Sequence, residues 1–169
     1  DLVIPRGSAE LIRMVVDDST VPTIETGAGV CHVYIDKSAD FSKALPIVIN
    51  SKTHRPSVCN AAETLLVHKE IAKDFLPLAL KELHQAGVIL HCDQVSLEVA
   101  NSLSIPASLA SEENWSTEYG VLEMNVAVVP DLDSAAAHIL KYGTNHTEAI
   151  VTESNESAER FISLADCAA

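Results

Sequence analysis

The chain has 169 residues, of which 47% are hydrophobic, and it carries a formal net charge of −13 at pH 7. This length and composition are typical of one folded globular domain with its own core. The excess of acidic residues disfavours nucleic acid and anionic membrane surfaces as main partners, and no apolar run is long enough to predict a transmembrane helix.

The four cysteines, at positions 31, 59, 92 and 167, show no paired spacing. In a chain that is neither short nor loop-rich, this favours free thiols in a reducing compartment over a disulfide framework. The sequence starts inside a strand-like stretch, without Met or a positively charged leader, so no signal peptide is expected. We therefore expect a cytoplasmic protein.

The first half of the chain alternates short apolar runs with helical periods. The apolar runs predict strands at residues 2–4, 21–24, 30–35 and 64–67. The helical periods predict helices at residues 9–17, 39–51 and 69–86. Asp40 lies near the start of the second helix, and Gly87 is a typical helix stop after the third.

The second half continues the alternation after one interruption. A strand is predicted at 88–91 and a short helix at 95–102, followed by a polar stretch at 103–119 that is expected to be irregular. The remaining predicted elements are, in chain order, a strand at 121–129, a helix at 131–142, a strand at 148–151 and a helix at 154–164. Asp131 and Ser154 are the expected N-caps of the last two helices, and Gly143 is the expected stop of the first of these.

This order of strands and helices predicts an α/β fold, in which a largely parallel sheet has helices on both faces. No internal repeat or linker is evident, so a single domain over residues 1–169 is expected. Sites on such sheets usually lie at the carboxyl ends of the strands. By that rule we place Arg6-Gly7-Ser8 and the 143–147 loop at a site, whereas Cys59 lies on a long loop that approaches its strand.

Cys59 is the strongest candidate for chemistry. It follows an Arg-Pro turn and precedes an apolar strand-like run. A catalytic thiolate needs exposure and nearby cations or N–H donors, and Arg55 and His54 precede Cys59 while Asn60 follows it. The alternative is that Cys59 is one of the many cysteines that pack as small hydrophobic residues.

One further segment and three single residues are weaker candidates. Arg6-Gly7-Ser8 opens a predicted helix, whose N-terminus favours an anion such as phosphate, although such turns are common. His146 lies in a turn and could serve as an acid, a base or a phosphate contact, or could be an ordinary solvated histidine. Glu25 and Glu118 are loop carboxylates that could act as a base or bind a ribose hydroxyl, although isolated surface glutamates are usual.

Metal binding is not expected. The neighbours Cys31-His32 and His91-Cys92 point to opposite faces of their strands, so neither pair can chelate a metal alone. The sequence contains neither CxxC nor HxxxH.

Four segments, in order along the chain, resemble the gamma-glutamyl phosphate reductases, also called glutamate-5-semialdehyde dehydrogenases, of the aldehyde dehydrogenase superfamily. They are residues 1–8, 29–40, 55–68 (with Arg-Pro-Ser-Val-Cys-Asn at 55–60) and 142–152. The resemblance implies NADPH-dependent reduction of L-glutamyl 5-phosphate to glutamate 5-semialdehyde in proline biosynthesis. It also implies a cysteine thioester as intermediate and release of phosphate.

The resemblance assigns roles to several positions. Cys59 stands at the family's catalytic cysteine. The residues implied to contact substrate are Arg55, Asn60 and His146, and those implied to contact the cofactor NADPH are Arg6, Gly7, Ser8 and Glu118. Glu25 receives no catalytic role, because an enzyme that releases phosphate needs no base to activate a hydrolytic water.

The family's chains are longer than this one. The resemblance therefore implies the catalytic domain of a larger protein, with most of the cofactor-binding domain and the oligomerisation arm outside it, and a homo-oligomer as the full-length form. Two alternatives remain open at this point. The domain could belong to a bifunctional pyrroline-5-carboxylate synthase, or it could be a non-catalytic binding or oligomerisation module of the same fold.

Overall fold

The computed structural model describes residues 1–7, 9–24 and 28–169, and for Ala9 the backbone only. In the described part of the chain, one sheet contains six strands in the spatial order β4-β3-β5-β2-β1-β6, and every ladder is parallel. The strands are β1 Cys31–Ile35, β2 Ala62–His68, β3 Ile89–Cys92, β4 Ala107–Leu109, β5 Glu123–Val129 and β6 Glu148–Val151.

Seven helices accompany the strands in the described residues. They are α1 Ala9–Asp18, α2 Phe41–Thr53, α3 Lys69–Gln85, α4 Gln94–Ser102, α5 Glu112–Trp115, α6 Leu132–Tyr142 and α7 Asn155–Leu164. Side-chain caps fix where several of them begin, because each satisfies a backbone N–H that has no partner inside the helix. Asp40, Asp131 and Ser154 accept bonds from the N–H groups of Ser42, Ser134 and Ser157, respectively.

Two apolar layers cover the sheet. All seven residues of β2 and all five of β1 are buried, as expected for central strands of a parallel sheet with helices on both faces. On one face, Leu65 and Val67 of β2 pack in the cluster that also contains Phe75 of α3. On the other face, Leu66 packs with Ile139 of α6 and Phe161 of α7. The predicted α/β fold is confirmed.

Most of the predicted elements are confirmed within a few residues, including the caps Asp131 and Ser154. Gly87 has φ of +81°, the left-handed conformation that ends α3 at low cost for glycine. Two predictions are wrong. The runs at 2–4 and 21–24 form only one isolated parallel bridge, between Val3 and Thr23. The stretch 103–119 is not irregular throughout, since it contains β4 and α5.

The connections determine which edge of the sheet each loop occupies. In a parallel sheet, a loop that leads from a helix into a strand lies at the amino edge. The segments before β1, β2 and β6 therefore share that edge, and these three strands are adjacent in the order β2-β1-β6. Among the described residues, no helix is both long and apolar enough to cross a membrane.

Candidate active site

Cys59 lies in the short connection between α2 and β2, at the amino edge of the sheet. Two consecutive turns form this connection, closed by bonds from Val58 N to Arg55 O (3.3 Å) and from Ala61 N to Val58 O (3.0 Å). Cys59 and Asn60 are exposed, whereas Ala61 and the strand after it are buried. The buried strand therefore anchors a turn that presents the thiol to solvent.

The segment before β1 packs against the backbone of Cys59. A side-chain carbon added at Gly29 would lie 1.6 Å from the carbonyl oxygen of Cys59, so only glycine fits this approach. The thiol of Cys31 donates to the same oxygen over 3.3 Å. Residues 29–31 thus fix the turn that carries Cys59.

The loop 143–147 reaches the same edge and holds residues 29–31 from the other side. Thr144 Oγ1 accepts a bond of 3.0 Å from Val30 N, and β6, which follows the loop, pairs with β1. The expectation that this loop lies at the carboxyl ends of the strands is wrong, because the loop leads from α6 into the start of β6. This correction brings the loop to the side of the sheet where Cys59 lies.

A buried pair, His32 and Glu148, joins the second residue of β1 to the first residue of β6. Glu148 Oε2 accepts from both the backbone N–H of His32 (3.0 Å) and its ring Nδ1 (2.9 Å), and the two side chains are 0% and 1% exposed. Gly143 packs closely here, since an added Cβ would lie 3.0 Å from Glu148 Oε1. The pair holds the start of β1 beside the start of β6, and so fixes the position of residues 29–31.

The four free cysteines differ sharply in their surroundings. Cys31 and Cys92 are buried, Cys167 is half-buried and Cys59 is exposed. Burial raises the pKa of Cys31 to about 12, with a further contribution from the negative charge of Glu148, and burial raises the pKa of Cys92 to about 12. Because the thiolate is the nucleophile, Cys31 and Cys92 are unreactive near neutral pH. Among the four, Cys59 is the exposed thiol.

The other residues predicted to contact substrate lie on the amino edge but differ in their exposure and hydrogen bonds. Arg55 and Asn60 are exposed on the turns around Cys59. His146 is half-buried, its Nδ1 bonds to Thr147 Oγ1 (2.8 Å), and its carbonyl accepts from Ala169 N. Arg55 and Asn60 lie on the connection that carries Cys59, and His146 lies on the loop whose Thr144 holds residues 29–31.

The predicted cofactor contacts fall in two places. Arg6 and Gly7 lie in the exposed turn before α1, and Ser8 lies outside the described residues. Glu118 is exposed in the loop between α5 and β5, next to Tyr119, whose hydroxyl donates to Asn125 Oδ1 (2.8 Å). Glu25 also lies outside the described residues.

Sequence reasoning missed the residues that support Cys59 from behind. Gly29, Thr144 and Glu148 are separated from their partners by 30 to 116 positions in sequence, so no local pattern reveals them. Within the described residues, no group of three or more His, Cys, Asp or Glu side chains could hold a metal ion.

Comparison with known proteins gives the chain close relatives. It is 56% identical over all of its 169 residues to the gamma-glutamyl phosphate reductase of Thermobifida fusca, and it spans 40% of that protein. The crystal structure of gamma-glutamyl phosphate reductase from Thermotoga maritima, 46% identical, matches 98% of this chain and 39% of its own with a TM-score of 0.93. The chain thus spans about two-fifths of the curated relatives that it matches.

A more distant solved structure shares the fold alone. The propionaldehyde dehydrogenase from the fucose utilisation microcompartment of Clostridium phytofermentans is 17% identical, with a TM-score of 0.72 over 98% of this chain and 45% of its own. No protein-family model matches the chain.

Proposed function

We propose that this chain, a homologue along its whole length of part of the gamma-glutamyl phosphate reductases, forms the cysteine-bearing part of such an enzyme. The reaction is the reduction of L-glutamyl 5-phosphate to L-glutamate 5-semialdehyde with release of phosphate, a step of proline biosynthesis. The observation that carries the proposal is the exposed thiol of Cys59 on a turn fixed by Gly29 and Cys31.

Covalent catalysis by Cys59 divides the reaction into two easier steps. The Cys59 thiolate attacks the acyl carbon of the substrate, a C–S bond forms, and the C–O bond to phosphate breaks. The thioester is then reduced by a hydride to a thiohemiacetal anion, whose C–S bond breaks to release the aldehyde and restore the thiolate. An acyl phosphate suits this site because phosphate is a good leaving group. The thioester is reduced and not hydrolysed, so no base is needed to activate a water molecule.

The backbone of the turn offers a donor for the oxyanion. Among the backbone bonds of the described residues outside regular helices and strands, none uses the N–H of Cys59 as donor. An N–H held in place at the nucleophile itself can stabilise the tetrahedral oxyanion of each step. The Gly29 contact holds the Cys59 carbonyl, and so anchors the next peptide unit of the turn, which carries the N–H of Asn60.

The substrate brings a phosphate and an α-carboxylate to a chain with a net charge of −13. Local positive charge and donors are therefore needed beside the thiol. Arg55 supplies a guanidinium that can bind phosphate or carboxylate with two parallel bonds, Asn60 supplies an amide, and His146 supplies an imidazole. We propose these three residues as substrate contacts.

A nicotinamide cofactor, NADPH in our proposal, supplies the hydride when it is bound. The exposed carboxylate of Glu118 suits the hydroxyls of a ribose, and the exposed Arg6 guanidinium suits a phosphate. Gly7 is exposed and has no side chain, so its backbone is open to a ligand. We expect most of the cofactor-binding domain in the part of the relatives that this chain does not span.

The decisive experiment replaces Cys59 by alanine in the intact protein. Phosphate-dependent oxidation of glutamate 5-semialdehyde should fall by on the order of 10⁶-fold, as when a covalent nucleophile is removed from other enzymes, while NADPH binding stays nearly unchanged. Mixing the unaltered protein with acyl phosphate in the absence of NADPH should add one glutamyl group to Cys59, detectable by mass spectrometry.

The matched control is Cys167→Ser. The Cys167 thiol donates to the backbone carbonyl oxygen of Ala169 over 3.2 Å, an acceptor that suits a serine hydroxyl as well. This variant should keep full activity. Substantial turnover by Cys59→Ala, or a glutamyl group on another residue, would contradict the covalent role of Cys59.

A further inference from the structure

A second buried ion pair lies close to the turn that carries Cys59. Lys52, near the end of α2, places Nζ 2.5 Å from Oε2 of Glu63, the second residue of β2. The two side chains are 0% and 1% exposed. Removing two charges from water can cost more than their attraction returns, so such a pair is weak evidence for added stability. Its position suggests another role.

The second carboxylate oxygen of Glu63 binds the loop between α5 and β5. Gly120 N donates to Glu63 Oε1 over 3.4 Å, and the ring of Tyr119 has its centroid 5.9 Å from Lys52 Nζ. Burial raises the pKa of Glu63, and Lys52 with the N–H groups of Gly120 and Tyr119 opposes that rise. Both charges of the pair thus engage the Tyr119-Gly120 turn.

The same turn is fixed from the sheet side. The Tyr119 hydroxyl donates to Asn125 Oδ1 (2.8 Å) and accepts from Asn114 Nδ2 (2.9 Å), and its ring stacks on His91 at 5.3 Å. Gly120 has φ of +64°, a conformation that suits glycine. Glu118 directly precedes this fixed turn, and therefore has a defined position at the amino edge of the sheet.

Glu63 connects two parts of the proposed active site. It lies four positions after Cys59, beyond the tight turn and at the start of a buried strand, and it binds Gly120, two positions after Glu118. We propose that Glu63, with Lys52, is a positioning residue that sets the distance between the Cys59 thiol and the Glu118 carboxylate. The inference rests on the proposed function, in which Cys59 receives the acyl group and Glu118 contacts the nicotinamide ribose.

The test is a double variant of the intact protein, Lys52→Met with Glu63→Leu. A single change would leave one buried charge without a partner, whereas an apolar pair of similar volume is often tolerated. The double variant should fold with a similar melting temperature but lose the bond to Gly120. We expect kcat/KM for NADPH to fall by up to about 100-fold, the effect of misplacing a group by about 1 Å, mainly through a higher KM.

Two readouts separate this role from a merely structural one. Amide hydrogen exchange should become faster in the peptide around 117–121, and iodoacetamide should alkylate Cys59 at the unaltered rate. The control is Lys43→Gln with Glu153→Gln, which removes an exposed ion pair of 2.7 Å on the opposite edge and should change neither exchange in this peptide nor the KM for NADPH.

A second variant, Gly120→Ala, disturbs the turn without changing the buried pair. Its added Cβ meets no atom within 4 Å, so only the left-handed backbone is strained, and the KM for NADPH should rise as in the double variant. Unchanged KM in a folded double variant, or in Gly120→Ala if the double variant does not fold, overturns the positioning role. Failure of the proposed function itself would appear elsewhere, as full activity of Cys59→Ala.

Discussion

Gly29 and Cys59 touch backbone to backbone, so position 29 has no room for even a methyl group. The substitution Gly29→Ala must push the Cys59 carbonyl away. We expect a loss of about 1–3 kcal/mol in the free energy of unfolding, as for overpacked sites, and a fall in activity of up to about 100-fold through displacement of the thiol. Urea unfolding and steady-state kinetics of the intact protein measure the two effects.

The control for this variant is Gly87→Ala, at the end of α3. There the added carbon meets no atom within 4 Å, but the residue has φ of +81°, so the strain costs about 1–2 kcal/mol. This variant should lose comparable stability with normal kinetics. Equal kinetics in the two variants would show that the Gly29 contact does not position Cys59.

The cysteines should react with iodoacetamide in an order set by their exposure. At pH 8, Cys59 should label first, followed by the half-buried Cys167, and Cys31 and Cys92 last, because burial raises the pKa of each of these two to about 12. Peptide mass spectrometry over a time course gives the four rates. Labelling of Cys31 as fast as that of Cys59 would contradict the buried position of Cys31.

Glu148 should be important for stability because two donors of His32 depend on it. Replacing it by alanine leaves the backbone N–H and the ring Nδ1 of His32 buried without this acceptor, and we expect a loss of about 3 kcal/mol, as when a buried pair is broken. The exposed Glu153, paired with Lys43 at the surface, provides the comparison. Its alanine variant should unfold at nearly the same urea concentration as the unaltered protein.

The regular core of the fold could be predicted from the sequence. Runs such as Thr64 to Val67 are entirely apolar after their first residue, and the caps Asp131 and Ser154 mark helix starts through local bonds. The two missed elements have weaker signals. Among the described residues, strand β4 has three half-buried or exposed residues and pairs with β3 alone. Helix α5 has four residues and no buried side chain, although a local bond from Ser111 N to Asn114 Oδ1 (2.7 Å) marks its start. Both depend on tertiary partners.

The candidate site was only partly predictable for a related reason. Cys59 could be recognised from its own neighbourhood, and the resemblance of the flanking segments supported it. The 143–147 loop was assigned to the wrong edge, although the predicted order of helix 131–142 and strand 148–151 already implies the amino edge. Its nearness to residues 29–31 could not be predicted, because it depends on the strand order β2-β1-β6. The bonds of Val30 to Thr144 and of Glu63 to Gly120 join residues 114 and 57 positions apart, and they become visible only in three dimensions.

His138 should make the stability of the protein depend on pH. Its ring lies between Trp115 (5.3 Å) and His32 (5.5 Å), and burial lowers its pKa to about 3 from an ordinary 6.5, with a smaller contribution from His32. Between these values the unfolded chain binds a proton that the folded chain does not. The contribution of neutral His138 to the free energy of unfolding is therefore complete above about pH 6.5 and is lost as the pH falls. From pH 7 to pH 5 the loss should be about 2 kcal/mol.

The variant His138→Phe tests this assignment. Nε2 of His138 is buried without a hydrogen-bond partner, so a phenyl ring sacrifices no bond there and keeps the aromatic contacts. Between pH 7 and pH 5, the free energy of unfolding measured in urea should fall by about 2 kcal/mol less in the variant than in the unaltered protein. The exposed His84, in the last turn of α3, serves as control, and His84→Ala should retain the full pH dependence. An unchanged pH dependence in His138→Phe would mean that His138 titrates normally in the folded protein, and that its place between Trp115 and His32 is open to water.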